Sequence, residues 1–153
     1  MSNSLRTSLE AASIIFKGTY PYLLHPLFDG FPSIQPALLN EVVCEMEKLI
    51  KPFLPIDKMI TVEAMGIPIA TVLSQKMDIS LTIIRKRRYG LSDEICVKQQ
   101  TGYASSSLYV NGINKGETII FIDDIINYLS LVSALAPVMQ ATFLRWFPFL
   151  FLR

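Results

Sequence analysis

Two adjacent carboxylates, Asp123 and Asp124, directly follow the apolar run 118–122, Thr-Ile-Ile-Phe-Ile. That run reads as a buried strand. In open parallel sheets, ligands bind outside the carboxyl ends of the strands. A carboxylate there accepts the hydrogen bonds of vicinal sugar hydroxyls. It can also hold Mg²⁺, directly or through water. The structural alternative is that the pair ends a strand and caps the next helix.

A second cluster, Arg85-Lys86-Arg87-Arg88, follows another apolar run, 81–84. Four neighbouring cations repel one another unless a polyanion shares them, and pyrophosphate suits that role. A solvated loop or a nucleic-acid patch is the alternative. The formal net charge of +1 argues against nucleic acid. A third feature is the turn Glu63-Ala64-Met65-Gly66 after the run 59–62. Small residues at a strand-to-helix turn let backbone N–H groups approach an anion, and the helix dipole adds to the attraction. Tight packing of helix on sheet explains the same residues equally well. Together, the three features describe one crevice for phosphates, a sugar and a metal.

The elements that position these residues follow from periodicity. Residues 36–50 carry Leu38, Leu39, Val42, Val43, Met46 and Leu49 at helical spacing, and Pro52 ends that helix. Residues 59–62, 81–84 and 118–122 read as strands, with a helix over 66–77 between the first two. Strands alternating with helices predict an α/β fold with a parallel sheet covered on both faces. Residues 4–16 show weak helical spacing, and 18–36 read as irregular structure or short strands. The insert 86–116, with a strand expected at 107–110, reads as a lid or binding loop.

The 153 residues suit one domain, and 51% hydrophobic against 18% charged residues excludes disorder. Cys44 and Cys96 form no C-x-x-C pair and read as reduced, buried thiols of a cytosolic protein. His25, the single histidine, reads as a surface or capping residue rather than a metal ligand. The N-terminus has no signal-peptide pattern. The apolar stretch 143–152 is too short to span a bilayer and contains Arg145.

The run 118–126, Thr-Ile-Ile-Phe-Ile-Asp-Asp-Ile-Ile, resembles the first half of the type I phosphoribosyltransferase signature. The turn at 61–66 and the segment 84–87 match that family in order. Residues 99–103, the run 108–112 (Leu-Tyr-Val-Asn-Gly), and Tyr22, His25, Pro26, Asp29 and Gly30 resemble the archaeal hypoxanthine/guanine branch, close to the adenine enzymes. The resemblance covers 5–126 within a single domain over 1–153.

The resemblance implies a sheet flanked by helices, a small N-terminal hood and a lid insert. It also implies purine salvage: a purine attacks C1 of 5-phosphoribosyl-1-pyrophosphate, giving IMP or GMP and pyrophosphate, with Mg²⁺ as cofactor. Asp123 and Asp124 would hold the ribose hydroxyls and the metal. Ala64, Met65 and Gly66 would present backbone to pyrophosphate. Arg85, Lys86 and Arg87 would neutralise it, across the interface of a cytoplasmic homodimer. No nucleic acid or membrane partner is implied. Adenine is the alternative base.

The sequence departs from the family after residue 126. The family continues with a Thr/Gly-rich loop for the 5′-phosphate. Here Asn127-Tyr128-Leu129-Ser130 has no glycine, leaving Asn127 and Ser130 as its polar remnant. Asn127 cannot accept a proton as an aspartate would. The tail 137–153 matches nothing in the family, so a frameshift or a divergent docking tail is expected, the C-terminal part of the sheet is in question, and a catalytically impaired member is the alternative function.

Overall fold

The computed structural model describes residues 3–100, 105–124 and 143–145. Two compact units divide the chain, Met1–Pro52 and Phe53–Arg153.

The first unit holds α1 (Asn3–Glu10), an antiparallel hairpin of β1 (Ser13–Lys17) and β2 (Tyr20–Leu24), the short α2 (Pro26–Asp29) and α3 (Pro36–Ile50). The helix expected over 4–16 is therefore split. The β-branched Ile14 and Ile15 pair with Leu23 and Tyr22 in the hairpin. Helical burial does not compete there, because Ile14 and Phe16 remain exposed. Gly18 turns the hairpin at φ 66°, where a side chain would be strained.

Helix α3 keeps its expected bounds. Pro36 sits in its first turn, where no N–H is needed. Leu38, Val42, Val43, Met46 and Ile50 are buried, whereas Leu49, expected on the apolar face, is exposed.

The second unit keeps the expected alternation. Strand β3 (Lys58–Val62) leads to α4 (Gly66–Met77) and then to β4 (Ser80–Ile84). Asp78, in the left-handed conformation, closes α4 with its N–H on Ser74. A hairpin of β5 (Ile95–Gln100) and β6 (Ser105–Val110) precedes β7 (Thr118–Phe121). Strand β8 (Phe143–Arg145) pairs in parallel with β7. The four-stranded parallel sheet runs β4-β3-β7-β8. A short piece of the divergent tail thus supplies a fourth strand, and the rest of the chain after residue 124 lies outside the described residues.

The alternation of side chains along the strands sorts the core. Ile60, Val62, Ile84, Ile119 and Phe121 pack with Val97, Leu108 and Val110 of the β5–β6 hairpin. Thr61 belongs to the opposite face, against the start of α4. Part of the insert is thus core rather than loop. Burying each such aliphatic side chain stabilises the fold by roughly 1.5–3 kcal/mol. Among the described residues, it is this hairpin that covers the face opposite α4.

Candidate active site

The three polar clusters stand at the carboxyl ends of β3, β4 and β7, neighbouring strands of one sheet. The parallel register brings Val62 beside Ile84 and Ile60 beside Phe121, so the segments beyond them emerge together. The backbone continues the pairing: Glu63 donates its N–H to Ile84 (3.0 Å), and Ile122 donates to Ile60 (2.8 Å).

After β3 the chain turns through Glu63, Ala64 and Met65, with a cis peptide between Glu63 and Ala64, into α4. Gly66 opens that helix because nothing larger fits. A β-carbon there would collide with Thr61 Oγ1 and the Asp123 carboxylate, and would lie 3.2 Å from Asp123 Cα. The glycine, Thr61 and Asp123 are thus packed into one small space. Tight packing explains Gly66, and that packing is against Asp123 of the acidic pair.

After β4, the basic run is divided in its contacts. Arg85 is half-buried, exchanges two backbone hydrogen bonds with Tyr109 (3.0 and 2.7 Å), and stacks its guanidinium 5.5 Å from the Tyr89 ring centre. Lys86 donates its backbone N–H to Glu63 Oε2 (3.1 Å), which ties the second cluster to the turn of the first. The side chains of Lys86 and Arg87 are exposed. Arg88 points instead to Glu94, at 3.6 Å.

Glu94 anchors this loop. Its carboxylate accepts the N–H groups of Tyr89 and Gly90 (both 3.0 Å) and the Asn111 amide (3.3 Å). These donors, led by Tyr89, lower its pKa. A cavity of about 290 Å³ lies beside it, lined by Arg88, Leu91, Glu94, Cys96 and Tyr109.

After β7, Asp123 Oδ1 accepts the N–H of Asp124 (3.1 Å). Burial, and then the neighbouring Asp124 carboxyl, push the Asp123 pKa up to about 8, while the Lys86 charge pulls it the other way. The Lys86 charge therefore bears electrostatically on Asp123.

Of the residues expected in the site, Gly66 and Asp123 pack together, Asp124 follows directly, Ala64 and Met65 lie in the turn beside them, and the Lys86 charge acts on Asp123 at longer range. Arg85 and Arg87 sit at the edge. Asn127 and Ser130 lie outside the described residues. Two participants were missed. Glu63 as a tether had no sequence signal. Thr61 had one: a hydroxyl in an otherwise aliphatic run, Met59-Ile60-Thr61-Val62.

Two other expectations change. Cys44 and Cys96 are not joined in a disulfide, but Cys44 is only half-buried and Cys96 is exposed on the hairpin. His25 is a capping residue, yet fully buried rather than superficial. Its Nδ1 accepts the Leu27 N–H (3.3 Å) and its Nε2 lies 2.8 Å from Ser8 Oγ. Burial lowers its pKa.

No family model matches the chain. The architecture nonetheless has close counterparts among solved structures. It superposes on adenine phosphoribosyltransferase from Saccharomyces cerevisiae with a TM-score of 0.74 at 18% identity, covering 94% of this chain and 84% of that one. For the enzyme from Trypanosoma brucei the TM-score is 0.72 at 14% identity, covering 95% and 66%. A parallel sheet of this form with its polar residues at the strands' carboxyl ends defines a type I phosphoribosyltransferase fold.

Sequence relatives narrow this class. The chain is 48% identical over 127 residues to hypoxanthine/guanine phosphoribosyltransferase of Ferroglobus placidus, spanning 83% of this chain and 67% of that protein. It is 45% identical over 130 residues to that of Aciduliprofundum boonei, spanning 85% and 70%. The chain belongs to the hypoxanthine/guanine phosphoribosyltransferase family. It spans about two thirds of the length of these relatives.

Proposed function

We propose that this chain transfers the 5-phosphoribosyl group from 5-phosphoribosyl-1-pyrophosphate to hypoxanthine or guanine, in purine salvage. The observation that supports this most is the convergence of the Gly66 turn, Lys86 and the Asp123–Asp124 pair at adjacent strand ends. The purine nitrogen attacks C1, the bond from C1 to the pyrophosphate oxygen breaks, pyrophosphate leaves with the electron pair, and the purine's N–H proton passes to solvent. Charge accumulates on the leaving group and positive character on the ribose. Catalysis of such a step is largely positioning and charge stabilisation.

In this reading Asp123 and Asp124 accept the ribose hydroxyls. The backbone of Ala64, Met65 and Gly66 faces the pyrophosphate at the start of α4, where N–H groups and the helix dipole favour an anion. Lys86 and Arg87 offset its charge, with Arg85 held nearby by Tyr89. The acidic pair also fits Mg²⁺. Adjacent hard oxygen donors suit this ion, which commonly takes one or two carboxylates and completes its shell with water and substrate phosphates. A cation there would also relieve the repulsion and burial that push Asp123 up to about 8. When bound, Mg²⁺ supplies charge neutralisation for the pyrophosphate.

In this reading the chain is one phosphoribosyltransferase domain in a cytoplasmic homodimer, and the parts of the insert 86–116 outside the β5–β6 core serve as its lid. The loop 127–130, without glycine, favours a second reading: a family member impaired in holding the 5′-phosphate.

Pyrophosphate release from phosphoribosyl pyrophosphate, assayed separately with hypoxanthine, guanine and adenine, tests both. Turnover with hypoxanthine or guanine is expected. Turnover with adenine alone would replace the base assignment, and no turnover with any base would overturn the enzymatic reading of this chain.

A further inference from the structure

Thr61 lies on β3 one residue from its end, fully buried. Its Oγ1 and Asn111 Oδ1 are the buried side-chain polar atoms, among the described residues, that have no hydrogen-bond partner. Buried hydroxyls are normally paired, and one left unpaired needs an explanation. Valine has the same shape, and the adjacent positions hold Ile60 and Val62. A hydroxyl at this point therefore costs desolvation with no return in the ligand-free chain.

The residues next to it supply the return. Thr61 Oγ1 and Asp123 Oδ1 both abut the same point beside Gly66, on the side of α4 that admits no β-carbon. Oδ1 already accepts the Asp124 N–H, in a self-contained bond. An ionised carboxylate has about four acceptor positions. A sugar reaching Asp123 from the crevice can use only those on the open side. The buried side faces Thr61, whose O–H is free to rotate about its own bond.

We propose that Thr61 is a positioning residue: its hydroxyl donates to the Asp123 carboxylate from the buried side when phosphoribosyl pyrophosphate binds, and so fixes the carboxylate for the ribose hydroxyls. The proposal rests on the reading of Asp123 as a ribose ligand. Thr61 itself touches no substrate. Its contribution is to restrict the Asp123 side chain to one orientation, so that the ribose does not have to order it.

The test compares Thr61→Val and Thr61→Ser with the unaltered chain, by thermal melting and by calorimetric binding of phosphoribosyl pyrophosphate with MgCl₂ and no purine. Where the chain turns over, KM is measured as well. Thr61→Val is expected to melt at the same or a higher temperature, since it removes an unpaired buried hydroxyl. It should bind phosphoribosyl pyrophosphate about tenfold more weakly, as loss of a hydrogen bond to a charged group does. The KM for the purine should not change. Thr61→Ser keeps the hydroxyl and should bind within about threefold of the unaltered chain.

A lower melting temperature for Thr61→Val would overturn the claim that the hydroxyl is idle in the ligand-free fold. Unchanged binding by Thr61→Val, or equal weakening by Thr61→Ser, would overturn the positioning role alone. No binding by the unaltered chain would overturn the proposed function, and the role of Thr61 with it.

Discussion

The two ends of the same sheet treat charge in opposite ways. At the amino ends of β3 and β7, every named charged group has a hydrogen-bond partner within the fold. Lys58 donates to both oxygens of Glu117 (2.9 and 3.0 Å) and to the Gly112 carbonyl. Glu117 also accepts the Asn114 backbone N–H (2.8 Å) and side-chain amide (2.9 Å). Asp57 and Thr118 exchange two bonds, of 2.8 and 2.7 Å. The Asn114 donors and then Lys58 hold the Glu117 pKa down to about 2.

At the carboxyl ends, about 15 Å along strands of this length, Asp123 is pushed the other way, to about 8, by burial and by Asp124. Thr61 is unpaired there, and Lys86 and Arg87 project into solvent. Pairing at one end fixes the register of the sheet. Incomplete compensation at the other leaves groups that a ligand's hydroxyls and phosphates would complete in the proposed function. That difference, more than any single residue, supports placing the proposed site at the carboxyl ends.

The largest effect should come from Asp123→Asn. Turnover is expected to fall about 10²–10³-fold, on the scale of losing one preorganised polar group. The melting temperature of the ligand-free protein should stay level or rise, because the amide needs no ionisation in a buried place. A clear loss of stability would break the comparison, since it would show Asp123 to be structural. Gly66→Ala should lose both: its β-carbon meets Thr61 and Asp123, and overpacking of this kind costs about 1–3 kcal/mol.

At the opposite end, Lys58→Met should lower stability by about 1–3 kcal/mol, since it leaves Glu117 and the Gly112 carbonyl short of a donor. The KM for phosphoribosyl pyrophosphate should not change. The pH dependence sharpens the same point. The Glu117 pKa is lower in the fold than its ordinary 4.5, so its contribution is complete above 4.5 and is lost as pH falls toward about 2. Urea midpoints should decline through that window, and Glu117→Gln should flatten that part of the decline.

The sequence made the site end more legible than the clamp end, and the reason is physical. Asp123, Lys86 and Gly66 each come after an apolar run, and neighbouring parallel strands deliver the residues beyond their carboxyl ends to one place. The clamp depends on Lys58 and Glu117, 59 residues apart, and no local pattern joins such a pair. Element bounds were readable where burial has a period, as in α3 and α4. They were not readable in β1, whose apolar residues are exposed, or in β5, where Val97 alone of the described side chains is buried. Glu94 was invisible for the same reason as Glu117: its partners are backbone N–H groups of a loop whose shape the sequence does not state.

The smallest expected effect is the most discriminating, because it repeats one substitution at the other end of the sheet. Lys86 is exposed, and its charge reaches Asp123 without a direct bond. An exposed cation of this kind contributes about 0.2–1 kcal/mol, which is roughly a 1.4- to fivefold change in an equilibrium constant. Lys86→Met should therefore raise the KM for phosphoribosyl pyrophosphate by that factor, more at low salt than at high salt, and leave the purine KM and the melting temperature unaltered. Lys58→Met, the same chemical change on the same sheet, should do the reverse. If both variants lowered stability equally and spared KM, the charges at the carboxyl ends would be as structural as the clamp, and the convergence of the three clusters would need another explanation.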